Sequence, residues 1–258
     1  HNRMNLIDTH AHISKKDYLD RIDDLIQSAK DAGVTKIINV GTDLKTSEEC
    51  IELSEKYTEL YATCGIHPHE ADKAPKRYIY NLEEFSKQPK TVAIGEIGLD
   101  YHYNISPPKT QQNIYKEQLE LAKDIQLPSI VHCRDSDDDI LEGLIETKNR
   151  VGVIHCFASN KDFAKQILKT GFHISFTGMI TFVKDLEEVV ESIPIEKIML
   201  ETDSPYLTPK PYRGKQNQPK NIPYIANKIA EIKDIDLQII AETTTDTALK
   251  LFNKLNNN

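Results

Sequence analysis

Short runs of apolar, largely β-branched residues recur along the chain, and each is followed by a longer stretch in which apolar positions return every three or four residues. That alternation marks βα units, in which a strand buried on both faces feeds a helix that packs back onto a parallel sheet. Eight runs predict strands over 5–8, 36–40, 60–64, 92–96, 129–132, 152–155, 173–175 and 197–201. Helical spacing predicts helices over 18–32, 47–57, 77–86, 110–125, 136–147, 161–170, 186–192 and 222–232, and a closing one over 237–255. In that last helix Leu237, Ile240, Ala241, Ala248, Leu249, Phe252 and Leu255 form an apolar stripe interrupted by Thr244 and Thr245. The expected fold is therefore α/β, a (β/α)8 TIM barrel with an additional C-terminal cover helix. One long loop, 204–220, stands out for its prolines and for Lys210, Arg213, Lys215 and Lys220, and a loop of that length commonly has a function.

With 258 residues, 39% of them hydrophobic, one large core uses the whole chain, so residues 4–258 are expected to form a single domain. His1, Asn2 and Arg3 precede Met4 and read as an expression remnant, which removes His1 from site reasoning. No apolar run approaches the roughly 20 residues of a membrane span, and Asp8 interrupts what a secretion signal would keep apolar, so a cytoplasmic location is expected. Cys50, Cys64, Cys133 and Cys156 show no C-x-x-C spacing and read as reduced, packed thiols. The formal charge of −8 argues against a protein that coats duplex nucleic acid by neutralising phosphates. It leaves room for an enzyme in which bound cations supply the positive field locally.

The histidines sharpen this picture. Six of those after His1 fall at or just past a predicted strand end: His10, His12, His67, His69, His132 and His155. Glu96, Glu201 and Asp203 share that position, and in a closed barrel all such ends meet on one rim. His10 and His12, two residues apart in extended backbone, can turn both rings to one metal; alone, the pair reads equally as surface histidines. Glu96 ends an apolar strand, where a buried carboxylate needs a partner: two cations bridged by its two oxygens, or an ion pair with Arg134. His132 and His155, each alone a plausible core histidine, together suggest a second metal position, with Cys133 and Cys156 turned by strand alternation into the helix layer. Asp203 can ligate the first metal and take a proton from water, or else cap a turn, and Glu201, deeper, would orient a ligand histidine. His67 and Arg134 are assigned to a substrate phosphate, against a purely structural hydrogen-bonding role.

The motifs Asp8-Thr9-His10-Ala11-His12, Gly65-Ile66-His67-Pro68, Gly95-Glu96-Ile97-Gly98-Leu99-Asp100-Tyr101, His132-Cys133-Arg134-Asp135, His155-Cys156-Phe157 and Glu201-Thr202-Asp203-Ser204-Pro205-Tyr206-Leu207 resemble, in order, those of the TatD family of metal-dependent deoxyribonucleases. The resemblance implies one divalent cation on His10, His12 and Asp203, a second on His132 and His155, and Glu96 shared between them. It further implies hydrolysis of DNA phosphodiesters, on single strands or strand ends, by water activated between two Zn²⁺, Mg²⁺ or Mn²⁺ ions, with no obligate protein partner. The catalytic roles would fall to Asp203, Glu96, His67 and Arg134. An alternative keeps this site but turns it on another ester, such as an aminoacyl-tRNA or a small phosphoester, and a non-catalytic metal-binding scaffold is the reading of another class.

Overall fold

A computed structural model describes residues 4–257, so the expected remnant at His1, Asn2 and Arg3 lies outside the described residues. Eight strands pair in chain order, all parallel: β1 (Leu6–Ala11), β2 (Val34–Asn39), β3 (Leu60–Cys64), β4 (Thr91–Asp100), β5 (Ser129–Arg134), β6 (Gly152–Ile154), β7 (His173–Phe176) and β8 (Ile198–Leu200). Among the described residues no ladder joins β8 to β1; the seam is closed by individual bonds. Thr9 Oγ1 donates to Leu200 O (2.8 Å), Thr202 N to Asp8 Oδ1 (3.0 Å), Asp203 N to His10 O (2.8 Å) and His12 N to Ser204 O (2.7 Å). The result is a (β/α)8 barrel whose closure itself fixes the residues flanking the mouth.

Among the described residues ten α-helices connect and cover the strands: α1 (Lys15–Tyr18), α2 (Ile22–Asp31), α3 (Leu44–Lys56), α4 (Tyr78–Ser86), α5 (Pro108–Ile125), α6 (Asp137–Thr147), α7 (Lys161–Lys169), α8 (Leu186–Ser192), α9 (Ile222–Lys233) and α10 (Leu237–Leu251). Strand alternation separates two apolar layers. Leu6, Ile37, Leu60, Val131, Ile154, Ile174 and Leu200 face the helices, while Ile7, Ile38, Tyr61, Ile130, Val153 and Met199 belong to an inner cluster. Phe252 and Leu255, just past α10, join that inner cluster and plug the floor of the barrel, so the C-terminal cover helix has a definite seat.

Four details depart from the sequence reading. The helix expected over 18–32 is two, because Leu19 takes a left-handed backbone (φ 51°) and ends α1. Strands β1 and β4 run on past 8 and 96, since their polar residues also point into buried surroundings. Thr244 and Thr245 are buried and satisfied, Thr244 Oγ1 donating to Ile240 O and Thr245 Oγ1 to Asn5 O, so the apolar stripe is not broken. Cys133 meets the first turn of α6 through Asp137, but Cys156 does not enter the helix layer. Its φ of 47° breaks the alternation and leaves its sulfur 3.7 Å from Thr177 Oγ1 and Met179 Sδ, beside the mouth.

Candidate metal centre

The inner-facing parity set by Ile130, Val153 and Met199 continues two residues on to His132, His155 and Glu201, which is why these polar groups converge above an apolar floor. Close strand approach is needed beside them. A Cβ on Gly98 (φ 134°) would lie 2.0 Å from His132 O, and one on Gly95 2.6 Å from Ile130 Cβ. Glycine at both positions lets β4 lie against β5 with Glu96 aimed inward.

Glu96, 3% exposed, is the centre of the cluster, and its two oxygens face different partners. Oε1 lies 3.3 Å from His10 Nε2 and 3.4 Å from His12 Nε2. The same two nitrogens are 3.5 and 3.3 Å from Asp203 Oδ1 and 3.1 Å from each other. Oε2 lies 2.8 Å from His155 Nε2, 3.0 Å from His132 Nδ1 and 3.5 Å from His67 Nε2. His10 and His155 stack between the two groups, with ring centres 3.8 Å apart.

These residues suit cations. His12 Nδ1 meets the Val40 carbonyl at 2.9 Å, and a carbonyl only accepts, so the proton sits there and Nε2 is free to point inward. His155 Nδ1 likewise meets Glu201 Oε1 at 3.0 Å, and Glu201 is itself held by the Ser175 hydroxyl. His155 Nε2, although 2.8 Å from Glu96 Oε2, is out of line for a hydrogen bond and is buried without a partner. Two ligands aimed at a common point would have that arrangement. Three overlapping triplets, His10–His12–Glu96, His10–His155–Asp203 and His67–Glu96–His132, each bring donor atoms within 4.8 Å of one another.

His67 differs in its tautomer. Its Nδ1 accepts from the His69 N–H at 3.0 Å, which leaves the ring proton on Nε2, pointing into the cluster. Burial pushes its pKa down to about 4, against the pull of Glu96, so His67 is a neutral donor rather than a lone-pair ligand. Burial also opposes charge on His12, but Asp203 and Glu96 outweigh it and raise it to about 10. His155 and His132 are raised by nearby carboxylates against the same desolvation, whereas burial and the charge of His155 keep His10 low. Burial disfavours a charged Glu96, yet His155, His67 and His10 hold it well below the usual carboxylate range.

Residues 7–253 match the family described as TatD related DNase. The chain belongs to that family. It is 39% identical over 251 residues, 96% of its length and 98% of the relative's, to the uncharacterized metal-dependent hydrolase YabD of Bacillus subtilis. It is 31% identical over 257 residues, 96% of its length and 98% of the relative's, to the 3'-5' ssDNA/RNA exonuclease TatD of Escherichia coli. The crystal structure of YJJV, a TatD homolog from E. coli, superposes with a TM-score of 0.92 at 30% identity, covering 96% of this chain and 98% of that one. The protein is accordingly a TatD-family metal-dependent hydrolase.

Within this TatD-family barrel, sequence-predicted residues His10, His12, His67, Glu96, His132, His155 and Asp203 come together, and Glu201 lies behind His155 as expected. Arg134 does not pair with Glu96; it is exposed on the rim, its guanidinium 5.0 Å from the centre of the Tyr103 ring. Asp100 was missed. It is 1% exposed, and its Oδ2 lies 2.9 Å from His132 Nε2 and 3.1 Å from His69 Nε2, while Oδ1 accepts from the N–H groups of His102 and Tyr103. Burial works against its ionisation, but the bond from His132 and those backbone donors hold it below the ordinary range. Asp100 thus stands behind His132 as Glu201 stands behind His155.

A cavity of about 1600 Å³ opens over the cluster. Apart from the central residues its lining carries Asp17, Glu49, Glu70, Asp135 and Asp137 to Asp139, against the cations Lys16, Lys45 and Arg134. The basic residues of loop 204–220 do not line it: Arg213 instead lies over Phe182, 4.0 Å from the ring centre, and donates to Thr208 O.

Proposed function

We propose that the protein hydrolyses phosphodiester bonds of DNA at the ends of single strands, using two divalent cations. The observation that carries this reading is the division of Glu96, one oxygen turned to His10 and His12 and the other to His132 and His155. A first cation would be held by His10, His12 and Asp203, a second by His132 and His155, and Glu96 would be shared; Zn²⁺, Mg²⁺ and Mn²⁺ all suit a mixed imidazole and carboxylate set. Bound there, such a pair of ions would polarise a phosphate and stabilise the attacking and leaving oxygens of an in-line displacement. Asp203, partly open to the cavity, takes the proton of the attacking water. His67 donates its Nε2–H to a phosphate oxygen as charge builds there, and Arg134 receives the substrate at the rim. Asp100 and Glu201 keep the rings of His132 and His155 in the orientation that the second position needs.

The E. coli relative's name, a 3'-5' exonuclease of ssDNA and RNA, supports both the substrate class and the attack at an end. The mouth fits a strand end better than a duplex, because its acidic lining cannot neutralise a row of phosphates. No helix among the described residues is long and apolar enough to cross a membrane, and the reading puts the enzyme in the cytoplasm, where its unpaired cysteines stay reduced. Glu96→Ala tests the proposal. The variant is expected to fold, by its circular dichroism, and to cleave an end-labelled single strand at no detectable rate with any of the three metals. Turnover at the wild-type rate would refute the assignment.

A further inference from the structure

Two tyrosine rings stand in solvent on opposite sides of the cluster, Tyr103 at 56% exposure and Tyr206 at 60%. Scattered exposed aromatics need no explanation, but these two are both tied to the centre. Tyr103 N donates to Asp100 Oδ1, the carboxylate that holds His132, and the rings of His69 and His102 stand nearly perpendicular to its own, with centres 5.6 and 4.8 Å away. Arg134 lies over the same ring, giving a combined aromatic and guanidinium surface. Across the mouth, Tyr206 N donates to Asp203 O at 2.9 Å, Tyr206 O accepts from Asn217 Nδ2, and its ring centre is 6.5 Å from that of His12.

We infer that these rings are base-stacking platforms, and that the mouth recognises a dinucleotide unit of unpaired nucleic acid, one base on Tyr103 with Arg134 and the other on Tyr206. The inference rests on the phosphodiesterase reading and adds how the substrate is held. With an acidic lining, charge neutralisation is a poor source of affinity, whereas every unpaired base offers a face to stack. Tyr206 flanks the Asp203 side of Glu96 and Tyr103 the His132 side, so a strand lying on both would carry its intervening phosphate over the carboxylate. Bases within a duplex cannot reach either ring, which makes strandedness a consequence of the same two side chains.

The test is a cycle between protein and substrate, using the metal-loaded enzyme. KM and kcat are measured on a short single-stranded DNA and on the same strand with abasic sugars flanking the scissile phosphate, for wild type, Tyr103→Ala, Tyr103→Phe and Tyr206→Ala. Each alanine variant is expected to raise KM on the intact strand about 5- to 150-fold, the span that the loss of one stacked base allows. Tyr103→Phe, which keeps the ring, is expected to stay near wild type. On the abasic strand the wild type should already show the raised KM, and the alanine variants should add little. An unchanged KM on the intact strand, or an equal rise on both strands, overturns the inference. Failure of the wild type to cut either strand would overturn the phosphodiesterase reading beneath it.

Discussion

Glu201→Gln separates a positioning role from a ligand role. The carboxylate receives the His155 Nδ1–H at 3.0 Å and the Ser175 hydroxyl, and is fully buried. The amide keeps its shape and one acceptor but loses the charge, so a charge-assisted bond becomes a neutral one of roughly half the strength. With bonds to charged groups contributing about 1.5–3 kcal/mol and neutral ones about 0.5–1.5, the loss is about 1.4 kcal/mol, or about tenfold in affinity. That sits at the low end of the roughly 10–100-fold seen when the partner of a ligating histidine is removed. Competition against a chromophoric chelator should therefore resolve two ions, with only the second weakened about tenfold. The weakening should persist in His12→Asn, which damages the first position, and disappear in His132→Asn, which damages the second. Equal weakening of both ions, or of neither, refutes the reasoning.

His67→Ala is expected to lower kcat about 10²–10³-fold, the effect of losing one donor to a developing oxyanion, with the metal content of the purified protein unchanged. A loss of bound metal would instead make His67 a ligand. In the metal-free protein, burial raises Asp8 to about 7, only partly offset by its bonds from Thr202, and His12 stands at about 10 because its carboxylate neighbours outweigh burial. Both groups bind protons more tightly folded than unfolded. The stability tied to Asp8 is complete below its ordinary value near 3.8 and lost as pH rises through about 7; that tied to His12 is complete below 6.5 and lost towards about 10. His10 and His67, held neutral by burial, gain stability as pH rises to 6.5 and oppose Asp8 there, so thermal melts with chelator are expected to show a falling Tm from about pH 7 to 9, and a rising Tm in that window would contradict the assignment.

Much of the fold was legible because a parallel strand buried on both faces must be apolar and short, and the eight such runs are well separated. Positions where a polar side chain finds an internal partner were harder. The strand was expected to stop at Glu96, yet it runs on to Asp100 and every residue of β4 is buried, because the cluster supplies the partners that water would otherwise provide. Asp100 received no role from the sequence, because its service to His132 and His69 depends on contacts 32 and 31 residues away. The left-handed residues Asp135, Cys156 and Asp203 each follow a strand that feeds the mouth, and their backbone directions carry no mark in the sequence. His67 was readable in position and was assigned to a substrate phosphate, but its tautomer, set by the bond from the His69 N–H, is a property of the turn.

Glu96 is expected to stand between two cations. Crystals grown with Mn²⁺ or Zn²⁺ and measured at an absorption edge should give two anomalous peaks about 3.5–4 Å apart, one against each carboxylate oxygen of Glu96. A single peak, or peaks away from Glu96, would contradict it.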